Sequence, residues 1–180
     1  MGSFFVILYS MSNELLFVRK AVELFHSSSK EAIDLGCGYG RNALFLAENG
    51  FNVTAVDKYL DCLTDIENKT DKITIVHADL IDYKFTKNYD FILCTFVLHY
   101  FERNNARKFI KKMVKHLKKD GILAISLIRT PKSLSIDELM DDVADLSTVS
   151  AVEKIIHDNP HSGANYLHDH DVFFYIGTRE

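Results

Sequence analysis

A short apolar strand that runs straight into three glycines at alternate positions constrains this chain more than any other feature. Glu31 to Leu35 reads as that strand. Gly36, Gly38 and Gly40 punctuate the turn, and Arg41 to Asn49 reads as a helix that Gly50 closes in a left-handed conformation. Bare backbone between a strand and a helix lets a ligand approach where a Cβ would block it. A dinucleotide fingerprint has the spacing G-x-G-x-x-G, whereas Arg41 stands here where its last glycine belongs. Taken alone, the loop is a weak signal, with a tight strand-to-helix turn that holds no ligand as the lesser alternative.

The surrounding pattern extends the constraint. Residues 13–26 read as a helix capped by Asn13, with Leu15, Leu16, Val18, Val22 and Phe25 as its apolar stripe. Strands are expected over Phe51–Val56, Ile73–Val76, Asp90–Thr95 and Gly121–Ile128, and helices over Tyr59–Asn68 and Arg103–Lys118. The run at 90–95 is almost continuously apolar, as in a strand covered on both faces. On the last helix Ala106, Phe109, Ile110, Met113 and Leu117 face one way, and a lysine stripe faces the other. Strands separated by helix-length segments imply right-handed crossovers and a doubly wound α/β domain with a mostly parallel sheet. The tail differs: Ser135–Leu146 reads as an acidic helix, with Asp137, Asp141 and Asp145 on one solvated face. Ala151–Ile156 and Val172–Thr178 read as strands joined too closely for a crossover helix, hence antiparallel.

A length of 180 residues suits one domain, with residues 1–29 as an N-terminal helical segment, 30–130 as a core and 131–180 as a C-terminal segment. The net charge of −4 lacks the basic excess that a phosphate backbone demands, so nucleic acid is not an expected partner. Three scattered cysteines, 37, 62 and 94, form no C-x-x-C pair and fit a reducing compartment. The apolar run Phe4–Tyr9 is too short to span a bilayer and lacks the flanks of a signal peptide, so it reads as a packed segment. The expected location is the cytoplasm, with no membrane partner.

Two carboxylates give the glycine turn a chemical context. Asp57 ends the second strand, where an acid can accept hydrogen bonds from both hydroxyls of a ribose, a feature shared with nicotinamide enzymes. Asp79 ends the third strand beside the same crevice, where it can accept a hydrogen bond from an adenine amino group while the Leu80 amide faces the ring. Either acid also reads as a local cap.

With these residues in place, the stretch AIDLGCGYGRNALFLAENGFNVTAVDK resembles the first two motifs of class I S-adenosylmethionine-dependent methyltransferases. Within that superfamily it is most similar to the tellurite-resistance methyltransferase group. The resemblance runs from about Glu31 to Pro131 and takes in HADL, DFILCTFVLHYF and KKDGILAISLIRTP. It implies a Rossmann-like seven-stranded sheet with an antiparallel C-terminal strand, and S-adenosyl-L-methionine as cofactor. It further implies that Asp34, Gly36, Gly38 and Gly40 surround the methionine moiety, with backbone contacts from Cys37 and Tyr39. Asp57 would hold the ribose, Lys58 would lie near the adenine, and Asp79 and Leu80 would address the adenine edge. Thr95 and Phe96 would sit under the sulfonium. Arg41 and Asn42 match the group's pattern, and read equally as capping residues.

The cofactor would carry the activated methyl, leaving alignment and a dry pocket to the protein. A small-molecule acceptor is expected, because no recognition domain or basic patch is evident. If a proton must leave the acceptor, His99 and Tyr100 are the nearest candidates, though both also read as loop packing. Four of the eight histidines, 157, 161, 168 and 170, crowd the tail. If extended, His168 and His170 point to one side. His161, His168 and His170 thus form a candidate substrate contact, with a polar turn and a metal site as competing readings and no zinc-type spacing to support the metal. Two other functions stay open at this stage: a non-catalytic adenosyl-binding sensor, and a nicotinamide-dependent oxidoreductase.

Overall fold

A computed structural model of the chain describes residues 16–64, 66, 67, 69–158 and 168–180. The Phe4–Tyr9 run, the Asn13 cap and His161 lie outside them. Helix α1 covers residues 16–23. The other elements follow as β1 (Glu31–Leu35), α2 (Arg41–Glu48), β2 (Asn52–Asp57), α3 (Leu60–Thr64), β3 (Ile73–His77) and β4 (Tyr89–Thr95). A 3-10 turn (Leu98–Tyr100), α4 (Arg103–Lys115), β5 (Leu117–Ile128), α5 (Ile136–Asp142), β6 (Ser147–Asp158) and β7 (His168–Thr178) complete the chain.

The seven strands form one sheet in the order β3-β2-β1-β4-β5-β7-β6. The pairs from β3 to β5 are parallel, and β7 runs antiparallel to both β5 and β6. Chain direction of build-up reverses between β1 and β4, which opens a crevice beyond the carboxyl ends of those strands.

Alternation along each central strand feeds two cores. Ile33, Ile92, Cys94, Leu123, Ile125 and Tyr175 face α4 and α5, where Phe109, Ile110, Met113 and Leu139 cover them. Their neighbours Ala32, Phe91, Leu93, Ile122, Ala124 and Phe174 face the other way, against Val18, Ala21, Leu46 and Leu63 of α1, α2 and α3. All seven residues of β4 are buried, which is why that strand reads as an unbroken apolar run.

Several expected boundaries move. The helix expected over Arg103–Lys118 ends at Lys115, and Leu117 leaves its stripe to open β5 opposite Tyr89. The Arg179 guanidinium explains the early stop: it donates to the Val114 and Leu117 carbonyls at 3.1 and 2.7 Å, satisfying acceptors that another helical turn would have used. Helix α3 starts at Leu60 and not at Tyr59, whose amide Asp57 Oδ1 takes, and the expected end at Asn68 lies outside the described residues. The two tail strands are longer than expected, each extended by the other's backbone as β6 and β7 pair from Ser147↔Thr178 to Asp158↔His168.

Helix α5 is shorter than Ser135–Leu146. It begins at a capping box in which the Ser135 hydroxyl accepts from the Glu138 amide and Glu138 takes the Ser135 amide in return. Asp137, Asp141 and Asp145 are solvated. The lysine-bearing face of α4 is not wholly solvated, because Arg107 binds Asp142 at 2.8 and 2.9 Å and Lys111 reaches the same carboxylate at 3.3 Å. That carboxylate side chain is only 1% exposed, so α5 is fastened to α4. No helix among the described residues is long and apolar enough to cross a membrane.

Candidate active site

The three glycines of the turn all have positive φ, at 77°, 51° and 77°, yet they serve different ends. A Cβ on Gly36 would lie 2.3 Å from Val97 Cγ2, and one on Gly40 would lie 2.5 Å from Ile66 Cδ1. At Gly38 a Cβ would meet nothing within 4 Å. Gly36 and Gly40 are thus spaces filled by side chains from after β4 and α3, and only Gly38 leaves its backbone bare. The turn is tied to β2 by the Gly36 and Cys37 amides, which donate to the Val56 carbonyl at 2.8 and 3.1 Å.

Asp57 locks the two motifs together. It is 8% exposed, and its Oδ2 accepts from the Gly38 amide at 2.8 Å while Oδ1 accepts from the Tyr59 amide at 2.9 Å. Each oxygen keeps a second acceptor direction for a ligand. Next to it, Ala78 N–H bonds the Asp57 carbonyl at 3.0 Å and His77 Nε2 meets the Lys58 carbonyl at 3.0 Å, holding the ends of β2 and β3 side by side. Asp79 is exposed, and its Oδ1 accepts from the Ile81 amide at 3.0 Å. It is both a local cap and an acid at the crevice.

These strand ends enclose a cavity of about 480 Å³. Gly36, Asp57, Lys58, Tyr59, Ala78, Asp79 and Leu80 form one end of its wall, and Phe96, Val97, Tyr100 and Phe101 form the other. The expected residues Gly36, Asp57, Lys58, Asp79, Leu80, Phe96 and Tyr100 are therefore brought together. Gly38 joins the edge through its bond to Asp57, with Tyr39 exposed beside it.

Others support from behind. Asp34 is 1% exposed at the end of β1, and Gly40 is packed. Thr95 is not on the wall: its hydroxyl accepts from the Asn42 amide at 3.1 Å in the interior, so these two residues fasten α2 to the end of β4. Cys37 is half-buried and its thiol donates to the Gly38 carbonyl at 3.7 Å. Burial, reinforced by the charges of Asp34 and Asp57, pushes that thiol far up, so it stays protonated.

Phe96 carries the strain of the site. Its φ of 53° is uncommon for a bulky residue, and its amide is held by both the carbonyl and the hydroxyl of Ser126 at 3.0 and 3.1 Å. This conformation turns the chain after β4 so that Phe96 and Val97 meet the cavity. Val97, Tyr59, Ala78 and Phe101 were not among the expected site residues. An apolar side chain that fills the space over a distant glycine has no local signature.

Beyond Val97, His99 lies against the Tyr100 ring with centroids 4.0 Å apart. Burial, and then the charge of His170, lowers the His99 pKa to about 4, and its Nδ1 is buried with no hydrogen-bond partner among the described residues. His168 and His170 do share one side of β7, with their Nε2 atoms 2.9 Å apart. They sit on a strand and not in a polar turn. Among the described residues no three His, Cys, Asp or Glu side chains are placed to share a metal ion. His157 pairs with Asp169 at 2.6 Å across the β6–β7 hairpin.

The geometry fits an adenosyl ligand: bare backbone at Gly38, two acids at adjacent strand ends, and a volume inside the roughly 300–1,000 Å³ common for small-molecule sites. The comparisons agree with it. A crystal structure of TehB from Haemophilus influenzae superposes with a TM-score of 0.78 at 22% identity, covering 91% of this chain and 61% of that one. The N-methyltransferase NodS from Bradyrhizobium japonicum, in complex with S-adenosyl-L-homocysteine, superposes with a TM-score of 0.69 at 18% identity, covering 90% of this chain and 85% of that one.

In sequence, the ubiquinone biosynthesis O-methyltransferase of Rickettsia akari is 34% identical over 116 residues, 62% of this chain and 45% of that protein. Its counterpart in Rickettsia canadensis is 35% identical over 123 residues, 64% and 50% respectively. The chain thus spans about half the length of these curated relatives. Residues 2–136 match the family described as tellurite resistance protein TehB. With three quarters of its length inside that match, the chain belongs to the TehB family of class I S-adenosylmethionine-dependent methyltransferases.

Proposed function

We propose that this chain transfers the methyl group of S-adenosyl-L-methionine to a small-molecule acceptor by in-line displacement. The observation that carries this reading is the Gly38–Asp57 bond, which sets an open backbone and a ribose-binding acid on one edge of a cavity at the crevice. Asp57 holds the ribose hydroxyls through the acceptor directions that Gly38 and Tyr59 leave open. Lys58, Asp79 and Leu80 take the adenine end. The turn residues Asp34 to Gly40 border the methionine end, with Asn42 and Thr95 bracing α2 behind it. Phe96 and Val97 close the reacting end against water.

The cofactor supplies an activated methyl on a sulfonium, so the protein needs to align and dehydrate more than to activate. Alignment of this kind is worth on the order of 7–11 kcal/mol at best. His99 and Tyr100 stand nearest for an acceptor that must lose a proton, and His168 and His170 extend the same side toward the acceptor; His161 belongs to the same proposal. The negative net charge and the three free cysteines support a cytoplasmic protein with a non-nucleic-acid substrate. The O-methyl and N-methyl chemistry named for the relatives supports an acceptor of small-molecule size.

Calorimetry with S-adenosylmethionine, S-adenosylhomocysteine and NAD tests the reading. Binding of the two adenosyl ligands and not of NAD is expected. Binding of NAD alone overturns it, and adenosyl binding without turnover on any small-molecule panel makes the protein a sensor.

A further inference from the structure

β5 carries a serine where its neighbours are aliphatic. From Ile122 to Ile128 every other residue is apolar, and Ser126 is fully buried among them. A hydroxyl in that setting costs free energy unless it is hydrogen-bonded. The Ser126 hydroxyl accepts from the Phe96 amide at 3.1 Å, beside the Ser126 carbonyl, which accepts from the same amide at 3.0 Å. Thr95↔Ser126 is the last register pair of β4 and β5. The carbonyl bond therefore continues the ladder, and the hydroxyl bond is additional to it.

The extra bond falls on the most strained backbone of the site. Among the described residues only Phe96 and Asp120 combine a side chain with a positive φ, and aspartate tolerates that conformation far better than phenylalanine. Strain of this kind persists where surrounding contacts over-determine it. The Phe96 ring meets Phe174 of β7 with centroids 6.3 Å apart, and its amide, held by two oxygens, fixes the peptide plane from which the chain turns. One residue on, Val97 is carried over the glycine turn, where its Cγ2 fills the space that a Cβ on Gly36 would need. Phe96, Val97 and Gly36 all line the cavity, and Ser126 does not. A hydroxyl behind the wall thus sets two residues of the wall and, through Val97, the first glycine of the turn.

Resting on the methyltransferase reading of this cavity, we propose that Ser126 is a positioning residue for methyl transfer. Its hydroxyl keeps the reacting end in shape through Phe96 and Val97. The methionine half of the cofactor depends on it, and the nucleoside half, assigned to Asp57, Asp79 and Leu80, does not. Ser126 itself touches no ligand. Alanine fits the same space, leaves the Phe96 amide its carbonyl acceptor alone, and lets the turn relax from its positive φ. Val97 then no longer braces Gly36.

The test is calorimetry of Ser126→Ala with S-adenosylhomocysteine and with adenosine, together with hydrogen exchange of the Phe96 amide followed by NMR in the ligand-free protein. Ser126→Ala should bind S-adenosylhomocysteine about fivefold more weakly, the effect of one neutral hydrogen bond, and adenosine within about twofold of the wild type. Exchange at the Phe96 amide should quicken about fivefold or more while amides at the centre of β4 stay slow. In a Val97→Ala background the serine change should have no further effect on S-adenosylhomocysteine, because the route to the turn is already cut. A general loss of stability moves neither the ratio of the two affinities nor the dependence on Val97. Equal weakening of both ligands, unchanged S-adenosylhomocysteine binding, unchanged exchange at Phe96, or a full serine effect without Val97 overturns the proposal. If Ser126→Ala does not fold, Ser126→Cys, of similar size but a weak acceptor, takes its place. Failure of the wild type to bind S-adenosylhomocysteine at all would instead sink the methyltransferase reading beneath it.

Discussion

Replacing Gly36, Gly38 and Gly40 by alanine one at a time separates packing from ligand approach within a single turn. All three have positive φ, so each alanine bears a backbone cost of about 1–2 kcal/mol. At Gly36 and Gly40 the new methyl also meets Val97 at 2.3 Å and Ile66 at 2.5 Å. Forcing a methyl into a packed site adds about 1–3 kcal/mol, for a total of about 2–5 kcal/mol in those two variants. Gly38 meets nothing within 4 Å and should lose only the backbone part.

The order reverses for ligand. Gly38→Ala puts a methyl on the open edge beside Asp57 and should weaken S-adenosylhomocysteine by at least tenfold, about 1.4 kcal/mol. Equilibrium urea denaturation gives the first ranking and calorimetry on the folded variants gives the second. If Gly38→Ala binds with unchanged affinity, or unfolds as easily as Gly36→Ala, the assignment of Gly38 as the ligand-facing glycine is wrong.

Further expectations concern the acids, the cap and the buried imidazole. Asp57→Ala removes a charged acceptor and should weaken S-adenosylmethionine by at least about 1 kcal/mol, with a further stability loss of about 1–3 kcal/mol because the Gly38 and Tyr59 amides lose their partner; unchanged calorimetry would place the ribose elsewhere. Ser135→Ala breaks the capping box of α5 and should cost about 1 kcal/mol in urea denaturation, with little effect on adenosyl binding because α5 does not line the cavity. His99 has a folded pKa lowered to about 4 against an ordinary value of 6.5. Between those values the unfolded chain binds the proton and the folded protein does not, so stability should rise with pH across pH 4–6.5. His99→Gln should flatten that part of the urea-midpoint profile, and an unaltered slope there would show that the imidazole is not buried as described.

The order of elements was open to reading from residues alone because its causes are local. A strand buried on both faces must be apolar at every position, and β4 shows this from Tyr89 to Thr95. A helix with one covered face repeats its apolar residues every three or four, as Ala106, Phe109, Ile110 and Met113 do. Glycines between strand and helix, and acids at the next two strand ends, announced the crevice because each is a property of its own few residues. The short tail connection likewise required an antiparallel hairpin.

What the local pattern left undecided was settled by contacts between distant segments. The helix at Arg103 stops at Lys115 because Arg179, sixty-odd residues later, takes its last carbonyls. Thr95 faces Asn42 and not the cavity, a pairing across 53 residues. The acidic helix and the basic helix meet through Asp142 and Arg107, 35 residues apart. Which of three similar glycines stays open was decided by Val97 and Ile66. A residue's own segment sets its backbone through interactions a few positions long, whereas its neighbours in the site arrive from other strands after the crossovers close. The sequence by itself therefore determined the architecture and the placing of the crevice, and the tertiary structure decided which side chains reach into it.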